Sequence, residues 1–383
     1  MASSAGPGLA APVLAGRRVL LLDRARMYVC GITPYDVTHL GHAATFVWVD
    51  ALGRVLRMLG VEPEVCRNVT DVDDVLDVAA SRASAPFDAF AAIQQYHFEH
   101  DLTALHVRPV RYEPRAHRYI EHVIRLAQGL LAAGHAYARN GSVYFRGQDV
   151  AAAAGLDRGA ALQLSAEYGG RPDDPAKDDP LDAAVWQAAE AGHPAWDSPW
   201  GPGRPGWHAE CVAMAMSAFG VGVDVHAGGA DLRFPHHAYH AAMAEAFTGV
   251  RPYARAWLHA GTVTVGGVKM AKSAGNLVLV SDLLERYTPA AVQDHQPDRG
   301  RLMILDRPWA ADWDYADELL KAAAGRLADL YQAAGRAGPV GEPAAGEVRR
   351  LLALDLDVPA ALSVALGEGG AAARLLIATL GLD

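Results

Sequence analysis

Two short basic motifs, His39-Leu40-Gly41-His42 and Lys269-Met270-Ala271-Lys272-Ser273, begin 230 residues apart. They constrain the fold most, because motifs so distant can act together only if the chain returns to its starting point. Their residue types suit a shared task. Imidazoles at a helix start stabilise negative charge developing on a phosphate. Two lysines on a loop can hold the phosphates of a departing group.

The chain between them is long enough for more than one structural unit. At 383 residues, two or three domains are expected. A hydrophobic content of 51% with 8% aromatics indicates an ordinary globular protein. The first 15 residues are small and apolar but lack a basic start, and read as a frayed terminus rather than a signal peptide. No stretch reaches the ~18 uninterrupted apolar residues of a membrane span, so a cytoplasmic, non-membrane protein is expected. Cys30, Cys66 and Cys211 are too few and scattered for a disulfide framework. A net charge of −10 argues against a large nucleic-acid footprint.

The start of the chain reads as a strand–helix–strand unit. Arg26 to Cys30 is a buried strand and Gly31 to Tyr35 a turn. His42 to Leu59 carries apolar residues at helical spacing and stops at Gly60, and Val61 to Val69 is a second strand. This is the opening of a parallel nucleotide-binding sheet. Residues near 110 to 165 read as helical, with a hairpin at Asn140-Gly141. Gly169 to Pro180 is a long polar loop, and Val223 to His226 and Trp257 to Thr264 resemble later strands. From Tyr315 onward the periodicity is helical. The fold expected is α/β: a split Rossmann domain over 19–110 and 200–265, with an inserted connective subdomain over 111–199. A lysine-loop and stem region over 266–305 and a helical C-terminal domain over 306–383 follow.

A metal set is also legible. Cys30 ends the first strand and Cys211 follows Trp207-His208-Ala209-Glu210. His236 opens an expected helix, with His240 four residues on along the same face. Two thiolates and two imidazoles form a common tetrahedral zinc set, although from spacing alone buried cysteines and core histidines explain these residues more readily.

The two basic motifs together resemble the ATP-handling signatures of class I aminoacyl-tRNA synthetases. Met27-Tyr28-Val29-Cys30-Gly31, Asn68-Val69-Thr70-Asp71-Val72-Asp73-Asp74, Gly203-Arg204-Pro205-Gly206-Trp207-His208 and Phe234-Pro235-His236-His237 narrow the resemblance to cysteinyl-tRNA synthetase, over about Arg26 to Val280. Within that superfamily the chain is more similar to the mycothiol-pathway cysteine ligases, which join cysteine to the amine of glucosaminyl-inositol using ATP. The segments that favour them are Cys30 to Asp36, Thr38 to Thr45, Glu167-Tyr168-Gly169-Gly170, Gly275 to Ser281 and Asp355 to Ala361. About 110 residues follow the lysine loop, which leaves little room for an anticodon-binding region.

The resemblance implies roles position by position. Cys30, Cys211 and His236 match zinc ligands, one Zn²⁺ per chain, with the metal selecting cysteine through its thiolate. His240 stands where the synthetase has a fourth ligand. Cys30, Gly31, Ile32, Thr33, Thr45, Asn68, Val69, Thr70, Trp207, Gly229, Ala230, Asp231 and Val263 match positions around the substrate and adenylate. His39, His42, Lys269 and Lys272 match the catalytic groups, with ATP as co-substrate alongside Mg²⁺. The implied partners are L-cysteine, ATP and an amino-sugar or other amine. Neither tRNA nor membrane is expected, and the protein is expected to be a monomer. Ala271 replaces the usual serine of the lysine loop. His226 and His240 are not typical of the ligases. Gln293 to Gly300 reads as an insertion of about eight residues that interrupts a helix through Pro297 and Gly300. These departures keep open a paralogue with a different amine or amino acid. Two other readings stand beside these: a truncated synthetase, against which the short tail and negative charge speak, and a non-catalytic descendant that only binds cysteine or an adenylate, against which intact His39, His42, Lys269 and Lys272 speak.

Overall fold

The computed structural model describes residues 11–35, 38–271, 274–285, 296–336 and 342–383. Its centre is a parallel four-stranded sheet in the spatial order Ala254–Ala260, Val223–Gly229, Arg24–Ile32, Glu62–Val69. Arg24–Ile32 is almost wholly buried past its first residues, as an inner strand with both faces covered must be. The helix Leu40–Met58 connects it to Glu62–Val69 on one side. The next two sheet strands, much later in sequence, add on the other side of Arg24–Ile32. The strand order therefore reverses at this strand, and open α/β sheets form their binding crevice beyond the carboxyl ends at such a point.

The intervening chain builds a second, antiparallel sheet in the order Ala136–Arg139, Ser142–Phe145, Ala183–Ala188, Gly203–Pro205. Its first hairpin turns through Asn140 and Gly141, both at positive φ (53° and 80°), the backbone that an Asn-Gly pair adopts most readily. The last strand, Gly203–Pro205, runs through Gly206 directly into the helix Trp207–Phe219, and so delivers Trp207 and Cys211 to the crevice.

Trp257 to Thr264 is not one strand. Ala254–Ala260 ends the parallel sheet, and Val263–Val265 pairs instead with Val268–Lys269 and, in parallel, with Trp313–Asp314. Gly261 marks the break: a Cβ there would lie 2.1 Å from the Ala311 carbonyl oxygen. Pro297 and Gly300 do not interrupt a helix. Residues 293–295 lie outside the described residues, and Gln296–Leu305 is a helix with Pro297 in its first turn, where a missing N–H costs nothing.

Four C-terminal helices, Asp317–Ala334, Glu342–Ala353, Val358–Glu368 and Gly370–Leu380, share one apolar core with Leu40–Met58. Arg301 is fully buried where these parts meet. It pairs with Asp50 and donates to the carbonyls of Leu380 (2.5 Å) and Leu105 (3.0 Å). Among the described residues no helix is long and apolar enough to cross a membrane.

Candidate active site

Beyond the carboxyl ends of the parallel strands lies a cavity of about 650 Å³. Both basic motifs border it, so the chain does return to its starting point. The return is made by backbone pairing. The Leu40 N–H donates to the Val278 carbonyl (2.8 Å), and His39 bridges antiparallel to Leu279. The segment just after the lysine loop is thereby fixed to the start of the Leu40–Met58 helix.

His39 caps that helix, its Nδ1 accepting from the Gly41 N–H at 3.1 Å. This fixes the unprotonated nitrogen of the ring and leaves Nε2 as the donor. His42 stacks on it with ring centroids 3.8 Å apart. Gly41 has to be small, since a Cβ would meet the His39 ring at 3.0 Å. On the opposite wall, Lys269 is paired with Asp231 at 2.8 Å and lies over the Tyr168 ring. Burial disfavours its ammonium, but the Asp231 carboxylate and the Tyr168 hydroxyl outweigh that and hold its pKa above the usual lysine range. Lys272 lies outside the described residues.

The floor is made by strand ends. Gly31 receives the Asn68 side chain on its N–H (3.1 Å), and a Cβ on Gly31 would lie 1.8 Å from the Asn68 carbonyl oxygen. Thr33 and Thr70 share a hydroxyl–hydroxyl bond of 2.8 Å, and Thr70 also donates to the Ile32 carbonyl at 3.1 Å. Gly229, Ala230, Asp231, Thr45 and Val263 complete this wall. Of the residues matched to the adenylate, Val69 alone does not border the cavity; it is buried, paired with Ile32 in the sheet.

At the far end stand Cys30, Cys211 and His236, all buried, with one donor atom from each within 4.8 Å of the others. Trp207 stacks on His236 at 4.1 Å. His208 Nδ1 meets His236 Nδ1 at 2.9 Å, so Nε2 is the ring nitrogen left for a metal. Burial, then contact with Cys211, drives the Cys30 thiol pKa well up, and burial pulls His236 well below the ordinary imidazole value. A neutral imidazole beside two thiols fits a thiophilic divalent ion, whose binding would release the thiol protons.

His240 does not join that set. It sits with Cys30 and His226 in a second group, again within 4.8 Å. The backbone from His236 to His240 is helical, the one non-helical residue of this turn being Phe234, but the two rings pack apart: His236 on Trp207 and His208, His240 on Tyr28, His226 and Tyr253. The residue types also gave no warning of three supporting groups. His237 Nε2 lies 3.2 Å from Cys30 Sγ, with its Nδ1 held by His259 at 2.8 Å. Asn276 clamps the lysine loop, accepting from the Ala271 N–H and donating to the Val268 and Lys269 carbonyls. Of the two adjacent histidines in Phe234-Pro235-His236-His237, His236, the one the resemblance singles out, is the one grouped with Cys30 and Cys211.

Fold and site together define a nucleotide-dependent ligase of the class I aminoacyl-tRNA synthetase type. Residues 18–325 match the family described as tRNA synthetases class I (C) catalytic domain, and the chain belongs to it. It is 44% identical over 345 residues to a Streptomyces griseus protein named L-cysteine:1D-myo-inositol 2-amino-2-deoxy-alpha-D-glucopyranoside ligase, covering 88% of this chain and 82% of that one. A Mycobacterium marinum protein of the same name is 43% identical over 377 residues, 94% of this chain and 90% of that one. Among solved structures, Mycobacterium tuberculosis methionyl-tRNA synthetase in complex with methionyl-adenylate is similar in fold, with a TM-score of 0.61 at 18% identity. The match covers 94% of this chain and 82% of that one.

Proposed function

We propose that the protein activates L-cysteine with ATP and transfers the cysteinyl group to the amine of an inositol-linked glucosamine. The observation that carries this reading is one cavity with phosphate-handling residues at one end and a thiophilic donor set at the other. A molecule spanning the two ends would carry a thiol and a phosphate at opposite poles, as cysteinyl-adenylate does. The names of the two relatives add the acceptor.

In the first step the cysteine carboxylate attacks the α-phosphorus, a P–O bond forms, and the bond to pyrophosphate breaks. His39 and His42 stabilise charge on the phosphate, His39 through its Nε2–H. Lys269 leaves Asp231 for the pyrophosphate, and Lys272 has the same role. Mg²⁺ is expected with the ATP. In the second step the neutral amine attacks the carbonyl, an amide forms, and AMP leaves with the bonding pair. The adenylate is already a reactive anhydride, so the site need only orient the amine.

Cys30, Cys211 and His236 would hold a zinc ion, which when bound supplies affinity for a thiolate over a hydroxyl. His237 and His208 orient two of these ligands. Residues 19–110 and 200–265 form the catalytic body in this reading, 111–199 its insert, 266–305 the loop and stem, and 306–383 the helical region. The protein acts as a monomer without tRNA. Incubation with ATP, L-cysteine and glucosaminyl-inositol, without tRNA, should yield AMP and the amide by mass spectrometry. Activation without amide would favour a different acceptor amine, and cysteinylated tRNA a truncated synthetase.

A further inference from the structure

Behind Cys30, away from the cavity, five buried polar atoms have no hydrogen-bond partner among the described residues. They are Tyr28 Oη, Tyr253 Oη, His226 Nδ1 and both ring nitrogens of His240. Their meeting follows from the sheet. Tyr28 and Cys30 share one face of their strand, and Tyr28 is in register with His226 on the next. His240 comes down from the Ala238–Thr248 helix onto both, with ring centroids 4.6 Å from His226, 5.4 Å from Tyr28 and 4.8 Å from Tyr253.

Buried orphan polar atoms are rare, and a group of them marks a place for a water or an ion. The donors distinguish the two. Cys30 Sγ lies 3.5 Å from His226 Nε2, and donor atoms of Cys30, His226 and His240 all lie within 4.8 Å. One thiol and two imidazoles are ligands for a borderline-soft divalent cation. Zinc bonds of ~2.0–2.3 Å place tetrahedral donors about 3.5 Å apart, so closure needs side-chain movement of about 1 Å.

We propose that Cys30, His226 and His240 form a second, inner zinc position, with the Cys30 thiolate bridging it to the outer ion on Cys211 and His236. The chain then holds two ions rather than one. The phenol oxygens of Tyr28 and Tyr253 border the inner position and supply its remaining contacts. The inner ion faces away from the substrate cavity. Its effect on the outer site is to withdraw electron density from the shared thiolate, leaving the outer zinc more receptive to an incoming thiolate.

The test is zinc content of the full-length chain, loaded with excess zinc, desalted and measured by mass spectrometry of the metal. Two ions per chain are expected for the unaltered protein. One is expected for His226→Gln and for His240→Gln, each retaining its circular dichroism spectrum. Cys211→Ser should also fall to one, through loss of the outer ion. Should His240→Gln fail to fold, His226→Gln carries the test alone. One ion in the unaltered protein overturns the proposal. If His226→Gln leaves that ion in place, the orphan atoms hold water. If His240→Gln removes it, His240 completes a single site.

Discussion

At the residue scale, the proposed mechanism rests on a few side chains whose removal should be felt in chemistry rather than in folding. His42 stacks on the helix cap and borders the cavity. Lys269 is already charged and held by a carboxylate that a pyrophosphate can replace. His42→Ala and Lys269→Ala should each slow cysteine-dependent ATP–pyrophosphate exchange by about 10²–10³. Exchange at the unaltered rate in either variant would remove that residue from the mechanism. Gly31 makes a different demand. A methyl group 1.8 Å from the Asn68 carbonyl cannot be accommodated without moving the backbone. Gly31→Ala should therefore lose exchange activity even where circular dichroism shows a folded chain.

At the scale of elements, Asn276 ties Val268, Lys269 and Ala271 together through three hydrogen bonds. Losing these bonds costs orientation of Lys269 rather than the lysine itself. Asn276→Ala should slow exchange about tenfold, equivalent to ~1.4 kcal/mol, with an unchanged melting temperature. An unaltered rate would show that the loop needs no such clamp. This scale also separates what could be read in advance from what could not. Arg26 to Cys30, the helix after His42 and the Asn140-Gly141 turn were visible because local pattern and turn chemistry agreed with the fold. Cys30, Cys211 and His236 were visible through motif resemblance, and the structure brings them together. His240 groups with Cys30 and His226 rather than with Cys211 and His236, a choice made by the packing of its ring on Tyr28, His226 and Tyr253 that no spacing encodes. The supporting contacts of His208, His237 and Asn276 join distant parts of the chain, and no local signal encodes such pairs.

At the scale of the whole molecule, the C-terminal helices are not an appendage. They share a core with the Leu40–Met58 helix, and Arg301 ties them to it through Asp50. Removing Arg301 leaves Asp50 with Arg54 alone and the buried Leu380 and Leu105 carbonyls without this donor, so Arg301→Met should destabilise the chain by about 3 kcal/mol. Denaturant unfolding reads this directly, and a loss below about 1 kcal/mol would contradict it. Burial opposes the Asp50 charge, but Arg301 and Arg54 overcome it and hold its pKa below the usual carboxylate value. A carboxyl with a lowered folded-state pKa stabilises above its unfolded value, near pH 4, and loses that contribution as pH falls further. Asp50→Asn should therefore flatten the acid limb of the stability curve, leaving the stability lower at neutral pH.

The central claim is that one cavity joins a phosphate-handling end to a thiol-selecting end. Its most direct measurement is ATP–pyrophosphate exchange by the purified chain without tRNA, with L-cysteine and L-serine compared at equal concentration. We expect robust exchange with cysteine and almost none with serine, with that preference lost in Cys211→Ser. Exchange that is absent, that requires tRNA, or that proceeds equally with serine would contradict the claim.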